Sequence, residues 1–100
     1  MQPASDKYID QARAIVLAHT RGLPVEVYFF GSRATGKPRR DSDVDVAVDI
    51  HGPVPTAFLS DLSEALEESS VPYRVDVVDL SAASEKFRAR VKSEGIKWSG

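Results

Sequence analysis

The chain has no cysteine, a single tryptophan and only two histidines. Without cysteine there are no disulfides, no thiolate nucleophile and no Cys-ligated zinc, which leaves carboxylate and histidine chemistry. Long apolar runs are also missing, since no window reaches the roughly 18 consecutive apolar residues that a membrane span needs. The opening MQPASDKYIDQ lacks the basic and apolar regions of a signal peptide. A cytoplasmic protein with no membrane partner is therefore expected. An excess of one charge is absent too: 13 basic against 15 acidic residues give a net charge of -2. Such a surface does not attract nucleic acid as a whole, so no direct nucleic-acid partner is expected and any basic site must be local. Repeats and low-complexity runs are lacking, and 100 residues suit one domain spanning residues 1–100.

Hydrophobic periodicity divides the chain into alternating elements. Ser5 and Asp6 read as a helix start, followed by Ile9, Ala12, Val16 and His19 at helical spacing until Gly22-Leu23-Pro24 ends the pattern. On that stripe His19 reads as an interface side chain rather than a ligand. Val25–Phe30 (VEVYFF) reads as a covered strand with Tyr28 in the core. From Asp43 to Ile50 the sequence DVDVAVDI alternates strictly, with Asp43, Asp45, Ala47 and Asp49 on one face and Val44, Val46, Val48 and Ile50 on the other. Beyond a breaker at His51–Pro55, Thr56 is a candidate cap for a helix ending near Ser70, with Phe58, Leu59, Leu62, Ala65 and Leu66 on its inner stripe. Tyr73–Leu80 reads as a third strand and Ala83–Lys92 as a third helix closed by Gly95. The IKWSG tail is too short to order alone, which leaves Trp98 as a partner anchor or part of a frayed end. The order α-β-β-α-β-α predicts a small α+β (mixed α/β) fold. Its sheet is mixed, three-stranded or slightly larger, with helices packed on the apolar side.

Chemistry concentrates around the second strand. Asp43 and Asp45, two residues apart, project from one face and suit hard divalent cations. Asp76, in RVDVV, is flanked by valines where an unpaired aspartate is unfavourable, and it would complete a three-carboxylate clamp. Such a clamp suits two Mg²⁺ ions roughly 3.5–4 Å apart and an in-line displacement with pyrophosphate as leaving group. Asp79, three residues later, falls on the other strand face, and with Asp49 it reads as a plain solvent-facing acid. The preceding loop, GSRATGKPRRDS over Gly31–Ser42, fits a phosphate cradle. Gly31 permits close backbone approach, and Ser32 offers a hydroxyl and an N–H. Arg33, Lys37, Arg39 and Arg40 add positive charge there. The segment also matches the first seven positions of GxxxxGK[ST], but Pro38 cannot supply the Mg²⁺-binding hydroxyl and a strand follows where that motif opens a helix.

Gly31-Ser32, ten residues, then Asp43-Val44-Asp45 resembles the GSx10DxD signature of minimal nucleotidyltransferases in the DNA polymerase β-like superfamily. More narrowly, the short chain resembles the MntA-type antitoxins of HEPN/MNT toxin–antitoxin pairs. The resemblance implies a small nucleotidyltransferase fold and Mg²⁺-dependent transfer of AMP from ATP to a tyrosine hydroxyl of a partner HEPN toxin. It assigns Gly31 and Ser32 to the triphosphate loop, Asp43, Asp45 and Asp76 to metal binding and catalysis, and makes Arg33, in the GSRAxG form, the foremost basic candidate. Two other functions stand beside this one: a binding module that neutralises its toxin by occlusion, and nucleotidyl transfer to a small molecule or RNA end. An intact acidic cluster favours the enzyme over occlusion. The short chain leaves little surface for a separate acceptor-binding domain.

Overall fold

The computed structural model describes residues 7–31 and 44–99. Three helices, α1 (Lys7–Thr20), α2 (Phe58–Glu67) and α3 (Glu85–Glu94), accompany four strands, β1 (Val25–Phe30), β2 (Val44–Ile50), β3 (Val75–Asp79) and β4 (Ile96–Ser99). A short 3₁₀ turn, Leu80–Ala82, follows β3. The sheet order is β3-β2-β1-β4. β1 pairs antiparallel with β2 and with β4, whereas β2 and β3 run parallel because α2 carries the chain across between them. No helix among the described residues is long and apolar enough to cross a membrane.

Alternation along β1 and β2 builds the core. Val44, Val46 and Val48 are fully buried, and Val27 and Phe29 join them on the same face. Against this face pack Ile9, Ala12 and Val16 of α1 and Phe58, Leu62 and Leu66 of α2. The α1 stripe closes on buried Thr20 rather than on His19. At 100° per residue, position 20 lies nearer the line through 9, 12 and 16 than position 19 does. His19 is exposed, its Nδ1 3.0 Å from the Ile15 carbonyl oxygen. Thr56 does not cap α2; the N-cap is Ala57, without a side-chain hydrogen bond. Ser84, by contrast, caps α3 by accepting from the Phe87 N–H at 3.2 Å.

Other expectations change as well. The tail is not frayed: it forms β4, and Trp98, 8% exposed, stacks on Phe29 with ring centroids 5.1 Å apart. Four residues suffice because β1 supplies the partner strand and the core a flat aromatic face. Nor do all helices share the apolar side. α3 crosses the opposite face, where Val91 packs with Tyr28, Ala47 and Leu80, and Phe87 meets Phe30 edge-on. Ala47, the small residue between two aspartates, makes room for this second cluster.

Beneath α3, Asp49 is buried at 3% exposure rather than facing solvent. Lys92 of α3 reaches its Oδ2 at 2.8 Å, and His51 Nε2 stands 3.3 Å away. Glu26, the register partner of Asp49 on β1, is bound by Lys97 of β4 at 3.0 Å and by His51 at 3.1 Å. This network ties α3 and β4 to one end of the sheet. Lys97 and then His51 hold the Glu26 carboxyl below its ordinary range, and Asp49 and Glu26 raise the Lys92 and Lys97 ammonium groups respectively. Burial, with the Glu26 charge beside it, raises the Tyr28 phenol.

Two stability measurements follow. Trp98→Ala is expected to cost about 3 kcal/mol in denaturant unfolding, from lost burial and stacking. Because the folded-state pKa of Glu26 is lowered, its contribution is present above the ordinary glutamate value of about 4.3 and is lost as pH falls through the folded value. Melting curves of Glu26→Gln should therefore show a deficit against wild type at neutral pH that shrinks below about pH 4. A deficit undiminished in acid would contradict the ion-pair account.

Candidate functional site

Register, rather than sequence proximity, assembles the acidic pair. Asp45 lies opposite Asp76 across the parallel β2–β3 ladder, so both carboxylates leave the sheet on the same face. On the other flank Asp45 pairs with Phe30 of β1, next to the Phe87 ring. The three neighbours thus grade from an aromatic wall, through Asp45 on the central strand, to Asp76 on the outer one. Asp76 is 38% exposed, and Arg74 Nε on the same strand face lies 3.2 Å from its Oδ1. Asp45 is half-buried.

Gly31 ends β1 with φ of +90°, in the left-handed region where side chains are rarely accommodated. A Cβ at this position would run into the Asp45 carboxylate. Glycine is therefore required twice over, by backbone conformation and by the closeness of the chain to the acid. In the sequence, Gly31 reads as permitting close backbone approach to phosphate; the close approach that the structure describes is to the Asp45 carboxylate. Ser32, Arg33 and Asp43 lie outside the described residues, as do Lys37, Arg39 and Arg40.

Asp79 sits on the opposite strand face at the end of β3, where its carboxylate accepts from the Ser81 N–H at 3.1 Å and from the Ser81 hydroxyl. It is the cap of the 3₁₀ turn. That role accounts for its charge and separates it from the pair.

The donor set fits a hard divalent cation: two carboxylates side by side on one face, a third aspartate two residues before Asp45 in sequence, and a glycine whose lack of a side chain keeps the Asp45 carboxylate from being displaced. Glu26, Asp49 and His51 form a second group whose ligand atoms lie within 4.8 Å of one another. There the ammonium groups of Lys92 and Lys97 already neutralise both carboxylates, and the group is a structural ion network. Sequence reasoning missed it, although Glu26 shares a strand face with Tyr28 and Phe30, and alternation on β2 places Asp49 on the face of Asp45.

Known proteins resemble this chain in both fold and sequence. A toxin–antitoxin structure with AMP-PNP superposes with a TM-score of 0.69 at 27% identity, over 88% of this chain and 73% of that one. A structure of a tri-AMPylated HEPN toxin of Shewanella oneidensis in complex with MNT antitoxin gives 0.65 at 23% identity, over 94% and 71%, a likeness of fold. The Haemophilus influenzae protein named "Probable protein adenylyltransferase MntA" is 39% identical over 66 residues, which are 66% of this chain and 58% of that protein. This chain thus aligns with less than two thirds of that relative's length. The family model described as polymerase beta, nucleotidyltransferase matches residues 15–97, nearly the whole described fold, and on that match the chain belongs to the polymerase beta nucleotidyltransferase family.

Proposed function

We propose that the chain is a Mg²⁺-dependent adenylyltransferase that moves AMP from ATP to a tyrosine hydroxyl of a HEPN-domain toxin, and acts as its antitoxin. The observation that carries this reading is the register that sets Asp45 beside Asp76, with Gly31 closed against the Asp45 carboxylate. Support comes from the name of the Haemophilus influenzae relative, from the AMP-PNP bound in one similar toxin–antitoxin structure, and from the HEPN toxin in another.

In this reading Asp43, Asp45 and Asp76 would hold two Mg²⁺ ions, which when bound would supply Lewis-acid polarisation of the α-phosphate and charge neutralisation of the departing pyrophosphate. The chain's own groups do the rest. Gly31 and Ser32 present backbone N–H groups to the triphosphate, and Arg33 adds positive charge. The acceptor oxygen forms a bond to the α-phosphorus, and the bond from that phosphorus to the bridging oxygen breaks. Pyrophosphate leaves with the electron pair, and the hydroxyl proton passes to the Asp76 carboxylate. Asp76 suits this step because it stands on the outer strand, open to an incoming acceptor, whereas Asp45 is enclosed on both flanks.

Incubation with ATP, Mg²⁺ and a HEPN-domain partner, read by intact mass, should add AMP to the partner. Asp45→Asn and Asp76→Asn are each expected to slow transfer by about 100-fold or more, and Asp76→Asn to leave ATP affinity nearly unchanged. Asp79→Asn keeps a capping oxygen and should do little to either quantity. Undiminished transfer by folded Asp45→Asn, or a larger loss at Asp79 than at Asp76, would overturn the assignment.

Gly31→Ala tests the loop independently. Forcing a side chain into the left-handed region and against Asp45 is expected to cost about 1–3 kcal/mol of stability and to reduce nucleotide binding. An unfolding curve superimposable on wild type would show that the close approach of Gly31 to Asp45 is not required.

A further inference from the structure

Like charges set directly opposite on neighbouring strands repel, and Asp45 and Asp76 are such a pair. Their surroundings differ. Asp45 has Phe30 on its other flank, whereas among the described residues β3 has no strand beyond it, so no side chain across the sheet confines Asp76 on its outer side. Repulsion alone would turn the Asp76 carboxylate away from Asp45 into that open space. Arg74 opposes this. It precedes Asp76 by two residues on the same strand face, and its Nε donates to the Asp76 Oδ1 at 3.2 Å. Among the described residues no other cationic group pairs with Asp76. The backbone at Arg74 is itself fixed, because its carbonyl accepts from the Val44 N–H at 2.9 Å and so continues the β2–β3 ladder one residue before Val75. That places Arg74 toward the end of the sheet where Gly31 approaches Asp45. The contact engages one carboxylate oxygen, drawing it toward that end.

Stability does not explain the pair. The Arg74 side chain is 78% exposed and that of Asp76 38%, and an ion pair so exposed contributes little to folding. We propose that Arg74 is a positioning residue for the transfer, which holds Oδ1 of Asp76 so that the other carboxylate oxygen is presented to the reacting groups. The inference rests on the adenylyltransferase reading above. A carboxylate that must hold a cation or take a proton loses rate when it samples other orientations, because the reacting atoms have to be aligned within a fraction of an ångström. Asp45 is aligned by its two flanking strands, and Arg74 supplies along β3 the restraint that no outer strand supplies to Asp76.

The test follows AMP transfer from ATP to the HEPN-domain partner by intact mass. Arg74→Ala and Arg74→Lys are made in the otherwise wild-type chain, and Arg74→Ala also together with Asp76→Asn. Arg74→Ala should lower kcat about tenfold, with KM for ATP, KM for the partner and the melting temperature as in wild type. Arg74→Lys should recover most of that loss, since the contact is made at one nitrogen and an ammonium can take its place. In the Asp76→Asn chain, where the carboxylate charge is gone, Arg74→Ala should change kcat by less than about twofold further. An unchanged kcat, an equal loss with and without the Asp76 carboxylate, or a loss confined to KM for the partner would overturn the proposal, as would an Arg74→Lys chain no faster than Arg74→Ala. A wild-type chain that transfers no AMP, or undiminished transfer by Asp45→Asn, is instead a failure of the adenylyltransferase reading.

Discussion

A central strand with valine on one face and aspartate at both ends of the other is the constraint that the rest of this fold meets. The valines of β2 require two helices over one face, and α1 and α2 provide them. The other face cannot be treated the same way, since an aspartate between two neighbouring strands is costly unless its charge is answered. Its two ends are answered differently. At Asp49 the protein supplies a cation of its own, Lys92 from α3, and the His51 ring from the end of the strand. At Asp45 it places a second acid alongside, from a strand that runs parallel, and brings a glycine in against it.

The positions of α3 and β4 follow from that asymmetry. α3 packs over Ala47 and Leu80 in the middle of the acidic face, and its Lys92 reaches Asp49. β4 extends the sheet beside β1, and its Lys97 binds Glu26, the register partner of Asp49. One end of the face is thus neutralised with side chains of the fold itself, and the acidic pair at the other borders an aromatic wall of Phe30 and Phe87. Arg74 lies 3.2 Å from Asp76 there, and carboxylates set side by side on one face are of the kind that suits a hard divalent cation. The same placement puts Asp76 on the outer strand, where the proposed acceptor arrives.

Much of this was legible in the sequence because it depends on periodicity. The period-2 pattern of DVDVAVDI fixed which residues of β2 share a face, and the spacing of Phe58, Leu62 and Leu66 fixed the inner stripe of α2. Gly31 was singled out as a residue that permits close backbone approach, whereas its positive φ and its closeness to Asp45 came from the structure. Asp76 could be singled out because a charged residue amid valines needs a partner. Its distinction from Asp79 also followed from strand alternation, and the capping of the 3₁₀ turn by Asp79 gives that difference a cause.

What periodicity does not carry is which strand lies next to which, and what covers each face. The direct pairing of Asp45 with Asp76 required the parallel register of β2 with β3, a contact between residues 31 positions apart. The burial of Asp49 could not be read from its neighbours, because the lysine that neutralises it comes from a helix 43 residues later. Trp98 looked like a loose end because four residues cannot hold themselves as a strand; β1 and the Phe29 ring hold them. The sequence by itself determined the three helices, the three longer strands and most of their inward faces, because these follow from periodicity. Tertiary structure decided the pairing and the coverage, since these depend on long-range contacts that local propensity and spacing do not encode.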